Sequence, residues 1–149
     1  MALLDHLNAP GKREAIVRDA AVVLDAEVAS KSGLSGAAIK TAFKIVKGLK
    51  PGFIPDAIDG LLDDFIRQIE PFFDSWKAGG GARPLREHFV TNGPAVADAL
   101  LSITDARAAR NSHKTVVATY NRLRPKAKEN VVAAMPRVGD LIAKHAADV

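Results

Sequence analysis

Apolar residues recur at intervals of three and four positions along nearly the whole chain, and this spacing constrains the fold more than any other feature. Ile16, Ala20 and Leu24, for example, fall on one side of an α-helix, which has about 3.6 residues per turn. A half-buried β-strand would instead need strict alternation of apolar and polar residues, and no short run shows it. The sequence therefore predicts an all-α fold, a single compact bundle of six to eight helices in one domain over residues 1–149.

Prolines, glycines and capping residues indicate where these helices begin and end. Asn8 suits the N-cap of a first long helix, and Gly33 suits the left-handed position that follows it. Because a proline inside a helix removes a backbone hydrogen bond, Pro71 is expected to kink or break the third helix, Pro125 to begin the last stretch and Pro136 to kink or divide it. The predicted helices cover about residues 8–31, 36–47, 55–76, 84–90, 93–104 or 93–110, 112–124 and 125–142.

The composition excludes several kinds of chemistry. The chain has no cysteine, which rules out disulfide frameworks, thiolate metal sites and cysteine nucleophiles. No glutamate is followed three positions later by histidine, as in helical di-iron proteins, and there is no His-Glu-x-x-His, G-x-S-x-G or Walker A motif. We therefore expect no metal, no cofactor and no enzymatic activity.

The sequence also bears on the location of the protein. Its first residues lack the basic region and apolar run of a secretory signal. Charged residues interrupt the chain so often that no apolar stretch reaches the ~18 residues needed to span a bilayer. Together with the absence of cysteine, this favours a cytoplasmic protein without a transmembrane segment.

Basic residues are concentrated in two segments, 28–55 and 106–128, that contain no aspartate or glutamate. The net charge is nevertheless only +4, because residues 56–74 carry six acidic side chains against one basic. Such basic faces can bind nucleic acid, anionic headgroups or an acidic protein surface, or they can be solvated and balanced by the acidic segment. The candidate partner-binding residues are Lys40, Lys44, Lys47, Arg107, Arg110, Lys114, Arg122, Arg124, Lys126 and Lys128.

One carboxylate, that of Glu27, falls on the apolar face of the first long helix. Burying it alone would be costly, so it must be paired or protonated. Lys31 follows one turn later, in the order that favours an ion pair. Two interpretations stay open: a partly buried ion pair, or an acid lining an apolar pocket between helices that binds a small apolar ligand.

Aromatic residues are concentrated in the third predicted helix, at Phe65, Phe72, Phe73 and Trp76. Because only 5% of the chain is aromatic, this clustering indicates core packing, an apolar ligand groove or the interface of a homo-oligomer. No pattern in the sequence separates these three.

Three segments of the chain carry a family resemblance: Asp25-x-Glu27-Val28-Ala29-x-Lys31-x-Gly33-Leu34-Ser35-Gly36-x-Ala38-Ile39-Lys40, Thr104-Asp105-Ala106-Arg107-Ala108 and Tyr120-x-x-Leu123-Arg124-x-x-Ala127-Lys128. Together they resemble a family of uncharacterised bacterial proteins of about this length, a domain of unknown function. The resemblance covers the whole chain and implies a bacterial, intracellular helical protein. It implies no activity, cofactor or site.

The sequence favours a non-enzymatic interaction protein that engages an anionic partner, an acidic protein surface or nucleic acid, through its basic helix faces. The alternative is a small-molecule binder with an apolar interhelical pocket containing Glu27. One open face shared by Lys40, Lys44, Arg107 and Arg124 would favour the first. Scattered basic residues and a cavity beside Glu27 would favour the second.

Overall fold

The computed structural model describes residues 3–146, which form eight α-helices and no strand. This confirms the predicted all-α bundle. Within the same residues, no helix is long and apolar enough to cross a membrane. The helices are α1 (Leu3–Leu7), α2 (Lys12–Ser30), α3 (Gly33–Lys47), α4 (Phe53–Ala78), α5 (Leu85–Thr91), α6 (Gly93–Arg110), α7 (Lys114–Ala133) and α8 (Met135–His145).

The N-terminal helices begin at other residues than the sequence predicts. Residues 3–7 form the separate helix α1, which is too short to show a repeat in the sequence. The chain then turns at Gly11, whose φ is +83°, so the predicted N-cap at Asn8 is wrong. The Asn8 side chain instead donates a hydrogen bond to Asp63 and accepts one from Arg13.

Helix α3 begins at Gly33, three residues before the predicted start at Gly36. Gly33 has a φ of +71°, which confirms its predicted left-handed conformation and lets α3 follow α2 almost directly. A Cβ atom on Gly36 would lie 2.6 Å from the backbone carbonyl carbon of Lys31. Glycine at 36 is therefore required by the close approach of the α2–α3 connection.

Pro71 and Pro125 lie inside the continuous helices α4 and α7, so α4 does not break at Pro71 and the helix start predicted at Pro125 is wrong. Both prolines are exposed, as are Arg67 and Asn121 one turn earlier, so water can solvate the carbonyl groups that lose their partners. Pro136 instead lies in the first turn of α8, where the missing N–H costs nothing. The chain divides just before it, as predicted.

Six helices surround a core cluster of fully buried apolar side chains, to which α3 and α7 contribute no member. Phe73 belongs to this cluster and Phe72 and Trp76 pack against it, so three of the four clustered aromatic residues serve the core. The core cluster consists of Leu3, Leu7, Ile16, Leu62, Ile66, Ile69, Phe73, Leu85, Phe89, Val96, Met135, Ile142 and Ala146.

Helices α5 and α8 cross within this core with their backbones in close contact. A Cβ atom on Gly139 of α8 would lie 2.5 Å from the Cα atom of Arg86 on α5. The crossing brings Arg86 within 3.3 Å of Asp140, with which it forms an ion pair at the surface. The absence of a side chain at 139 thus sets the distance between the two helices.

Among the ion pairs of α2, two sets join it to α4 and to α8. Arg13 binds Asp59 and Asp63 of α4 at 2.7 and 2.6 Å, and its hydrogen bond lowers the pKa of the Asp63 carboxyl. Asp19 accepts hydrogen bonds from Lys144 and His145 of α8, which lower the pKa of Asp19. Part of the acidic segment 56–74 is therefore neutralised by Arg13 of α2.

Candidate interaction face

Helices α3 and α7 lie side by side outside the core cluster. The buried residues of α3 are only Gly36 and Ala42, and α7 has none over its 20 residues. In α3, Ile39, Phe43 and Val46 are half buried on the side that faces the bundle. Half of the residues of α7 are also half buried. The exposed residues that remain on both helices form the surface that we call the α3–α7 face.

Three lysines follow one edge of α3. The Lys47 ammonium lies 3.9 Å from Asp25 on α2 and 5.0 Å above the ring of Phe43, so this edge of α3 faces α2. Lys40 and Lys44 are exposed and form no ion pair with any residue that the structure describes. Their charge is therefore available to an outside partner.

A different edge of α3 carries exposed apolar side chains. Leu34 is 93% exposed and Ile45 is 41% exposed, and Ala38 and Thr41 between them are also exposed. At about 100° per residue, these four positions lie roughly 130° around the helix from the lysines. We call them the α3 seam. This seam was not predicted, although the spacing 34, 38, 41, 45 was a signal in the sequence.

A polar cluster joins α7 to α6. Arg124 donates hydrogen bonds of 2.8 and 3.1 Å to the two carboxylate oxygens of Asp105, and Tyr120 also donates to Asp105. The Arg124 guanidinium, followed by the Tyr120 hydroxyl, lowers the pKa of the Asp105 carboxyl. Burial and the bond to Asp105 raise the pKa of Tyr120, whose hydroxyl also lies 2.7 Å from Thr104. The cluster is an interhelical lock between two segments that carry the family resemblance.

The outer edge of α7 is cationic. Lys128 binds Asp98 of α6 at 3.0 Å, and with Arg124 it defines the edge of α7 that faces α6. Arg122 and Lys126 each precede one of these residues by two positions, or about 200° of rotation, and therefore point away from α6. Lys126 makes only a 3.9 Å pair with Glu129, and Arg122 makes none with the described residues.

The basic residues at the α6–α7 junction also divide into one that is paired within the chain and two that are not. Arg107 binds Asp64 of α4 at 2.9 Å and the Gly60 carbonyl at 3.0 Å, and it lowers the pKa of the Asp64 carboxyl. Arg110 and Lys114 are exposed, with no ion pair to the described residues. The junction thus offers cations at its surface while Arg107 fixes α6 to α4.

The ten candidate residues therefore fall into two groups. Residues that are already paired within the chain are less available to a partner. Because Arg107 and Arg124 are paired, they do not form one open face together with Lys40 and Lys44. The paired residues are Lys47, Arg107, Arg124, Lys126 and Lys128. Among residues 3–146, those without an ion pair are Lys40, Lys44, Arg110, Lys114 and Arg122.

Glu27 is buried, with 7% of its surface exposed. Lys31 lies 3.3 Å from one carboxylate oxygen, and Arg137 of α8 binds the other. No sequence pattern pointed to Arg137, which lies 110 residues further along the chain. With both oxygens occupied by cations, the geometry matches the ion-pair interpretation of Glu27.

Two cavities of small-molecule size lie elsewhere. One of about 580 Å³ opens between the end of α4, the loop 79–84, α5 and α8, over Phe73 and Trp76. The other, of about 560 Å³, lies between α2 and the start of α4 and includes Val22 and Asp56. Glu27 lines neither cavity, and neither touches α3 or α7.

Within residues 3–146, no three histidine, aspartate or glutamate side chains come together in a way that could hold a metal ion. Fold and surface together define a helical bundle with two incompletely buried helices and an exposed face of mixed cationic and apolar character. The chain belongs to a family of unknown function, since a family model described as "Family of unknown function (DUF6918)" matches residues 3–146. No curated protein and no solved structure matches the chain significantly.

Proposed function

We propose that this protein is a non-enzymatic interaction domain that binds an acidic protein partner through the α3–α7 face. The observation that carries the proposal is the exposure of Lys40 and Lys44, without an ion-pair partner among the described residues, on the same helix as the exposed apolar Leu34 and Ile45. Exposed cations attract a carboxylate-rich surface over several ångströms, and neighbouring apolar side chains add burial on contact. The proposal includes the bacterial origin that the family resemblance implies and the cytoplasmic location that the sequence favours.

An acidic protein is favoured over nucleic acid because half of the candidate cations are already paired. Affinity for a phosphate backbone depends on many simultaneous cation contacts. Exposed leucine and isoleucine contribute little to such contacts, whereas protein interfaces use apolar side chains at their centre. The small-ligand alternative draws no support from Glu27, whose carboxylate oxygens are both occupied.

The test is a binding titration of fluorescently labelled polyglutamate and duplex DNA at about 50 and 200 mM salt. We expect polyglutamate to bind at the lower salt and to weaken at the higher one, because salt screens exposed charges. Lys40→Glu combined with Lys44→Glu should weaken this binding by about tenfold or more, equivalent to ~1.4 kcal/mol.

The matched control is Arg18→Glu combined with Arg83→Glu, which changes the net charge equally at two exposed arginines outside α3 and α7. Equal losses of polyglutamate binding in both variants would mean that binding depends only on net charge, which would contradict a specific binding face. Binding of DNA in preference to polyglutamate, with the same dependence on the α3 lysines, would identify nucleic acid as the partner class instead.

A further inference from the structure

The cavity of about 580 Å³ over Phe73 and Trp76, which we call the Trp76 cavity, has the composition of a small-molecule site. Phe73, Leu85 and Ala146 of the core cluster line it, so its floor is apolar. The half-buried Trp76 lines it as well. Ligand sites are concave, enclose roughly 300–1,000 Å³ and combine an apolar lining with a few polar groups. The Trp76 cavity matches this description in size and in lining.

Trp76 is held in place at this cavity. Its indole N–H donates a hydrogen bond of 2.6 Å to the backbone carbonyl of Arg83, near the end of the loop 79–84. In the same loop, Gly81 has a φ of +63° and lies so close that a Cβ atom on it would be 3.4 Å from the indole ring. The ring centroid of Trp76 lies 5.8 Å from that of Phe73. The aromatic wall is therefore formed before a ligand arrives, which lowers the ordering cost of binding.

Cations predominate among the charged residues at the Trp76 cavity, which are Lys77, Arg83, Arg86 and Asp140. The single carboxylate, that of Asp140, is already paired with Arg86 at 3.3 Å. The Lys77 ammonium lies 5.9 Å from the centre of the Phe73 ring, beside the apolar floor. Arg83 is exposed and forms no ion pair with any residue that the structure describes. The lining thus has an excess of two positive charges, and the Arg83 guanidinium is available to a ligand.

The second cavity shows that this excess of positive charge is local. Its volume of about 560 Å³ is similar, but its charged lining residues are four carboxylates and one arginine, Arg18. The two cavities therefore differ in sign, with two excess positive charges in one and three excess negative charges in the other. Of the two, charge complementarity favours an anion at the Trp76 cavity only.

We propose that the Trp76 cavity binds a small amphipathic carboxylate, whose apolar body packs against Trp76 and whose carboxylate lies beside Arg83. Burial of the apolar body supplies affinity, and arginine can hold a carboxylate through two parallel hydrogen bonds. The cavity touches neither α3 nor α7, so this site goes beyond the proposed function and does not depend on it. Polyglutamate has no apolar body to fill the cavity, and Arg83 therefore remains a control position in the polyglutamate titration.

Two other classes of ligand fit the cavity less well. A small organic cation would meet the excess of positive charge, and the one carboxylate that could attract it is occupied by Arg86. A neutral apolar molecule would pack against Trp76 but would gain nothing from Arg83. The charge of the ligand is therefore the property that the experiment varies.

Trp76 is the only tryptophan of the chain, so its fluorescence reports directly on this cavity. The protein is titrated with phenylbutyrate, phenylbutyramide and phenylbutylamine, which share one apolar body and differ in the charge of the head group. We expect phenylbutyrate to bind with a Kd on the order of 1 mM, as suits so small a ligand. Phenylbutyramide should bind about threefold more weakly and phenylbutylamine about tenfold more weakly. Added salt should weaken the binding of phenylbutyrate but not that of the amide.

Two substitutions at exposed positions test the site while keeping the tryptophan reporter. Arg83→Gln should remove the preference for phenylbutyrate over phenylbutyramide, whereas its matched control Arg18→Gln should retain it. Ala143→Leu, on the cavity side of α8, should weaken all three ligands because leucine fills part of the space. Its control is Ala95→Leu, at an exposed residue of α6 that lines neither cavity. The thermal unfolding curve of each variant verifies that the fold is retained.

Equal binding of phenylbutyrate and phenylbutyramide, or tighter binding of phenylbutylamine, would overturn the proposal. A preference for the carboxylate that survives Arg83→Gln would do the same, as would unchanged tryptophan fluorescence at about 10 mM phenylbutyrate. The variant with Lys40→Glu and Lys44→Glu should bind phenylbutyrate normally, because neither lysine lines the cavity. A loss of phenylbutyrate binding in that variant would mean that the ligand follows the net charge of the protein, and it too would overturn the proposal.

Discussion

Glu27 is held in the bundle by two cations that reach it from different directions. Lys31 approaches from the next turn of α2, and Arg137 approaches from α8. A buried carboxylate needs such partners, because its desolvation is otherwise uncompensated. The ion pair therefore ties the last turn of α2 to α8.

We expect Glu27→Ala to lower the free energy of unfolding by about 2–4 kcal/mol, because it leaves Lys31 in a mostly buried place without its partner. The half-exposed Arg137 can turn to water, which limits the loss. Asp25→Ala removes only an exposed pair with Lys47 and should change the same quantity by less than about 0.5 kcal/mol. Urea denaturation measures both, and equal small losses would mean that Glu27 is not a structural anchor.

Asp105 gives the fold a sensitivity to acid. Its pKa is lowered by Arg124 in the folded protein, so its contribution to stability is present above the unfolded value of about 3.9 and is lost as the pH falls below it. We expect Asp105→Asn to be less stable than the wild type at neutral pH and to lose less of its remaining stability between about pH 4 and 2. Because Asp105 is well exposed, the difference should be modest, about 1 kcal/mol or less.

The control for this measurement is Asp74→Asn, at an exposed residue of α4 that makes no ion pair with the described residues. If the pH dependence of Asp105→Asn differed from that of the wild type no more than that of Asp74→Asn does, the cluster of Asp105, Tyr120 and Arg124 would not contribute to stability through its charges.

At the level of helices, the crossing of α5 and α8 depends on Gly139. An added Cβ would collide with the backbone of Arg86, which cannot move without moving α5, so Gly139→Ala should cost about 1–3 kcal/mol. Gly60, inside α4, has no atom within 4 Å of the corresponding position. There the same substitution should stabilise the protein by about 0.5–1 kcal/mol, because alanine favours helix.

Thermal unfolding of the two alanine variants measures the contrast. A gain in stability at both positions would show that α5 and α8 can separate without penalty. The comparison is informative because both glycines lie inside helices and differ mainly in what surrounds them.

The elements of this fold were predictable where their signal is local. Apolar spacing predicted the helices, and Gly33 was placed in its left-handed conformation from sequence alone. Pro71 and Pro125 were misjudged, because whether a helix tolerates proline depends on the solvation of the preceding turn, which only the packed structure defines. The burial of Glu27 followed from the helical period, but its partner Arg137 could not be found, since no local pattern relates residues 110 positions apart.

For the whole molecule, the uneven distribution of burial predicts uneven stability. The core cluster involves α1, α2, α4, α5, α6 and α8, whereas α3 and α7 have few or no buried side chains. We expect backbone amides of α3 and α7 to exchange with deuterium faster than those of α8 and of residues 62–73 in α4, because local opening exposes little apolar surface there. Peptide-resolved hydrogen exchange measures this, and uniform protection would contradict it.

The core cluster also joins residues 3–7 to residues 135–146, the two extremes of the chain that the structure describes. During synthesis, α1 and α2 leave the ribosome long before α8 exists to cover them. The nascent chain can form individual helices early, but it cannot close this core until residues 135–146 have been translated. A ribosome stalled before codon 135 should therefore display a protease-sensitive chain, however many of its helices have already formed.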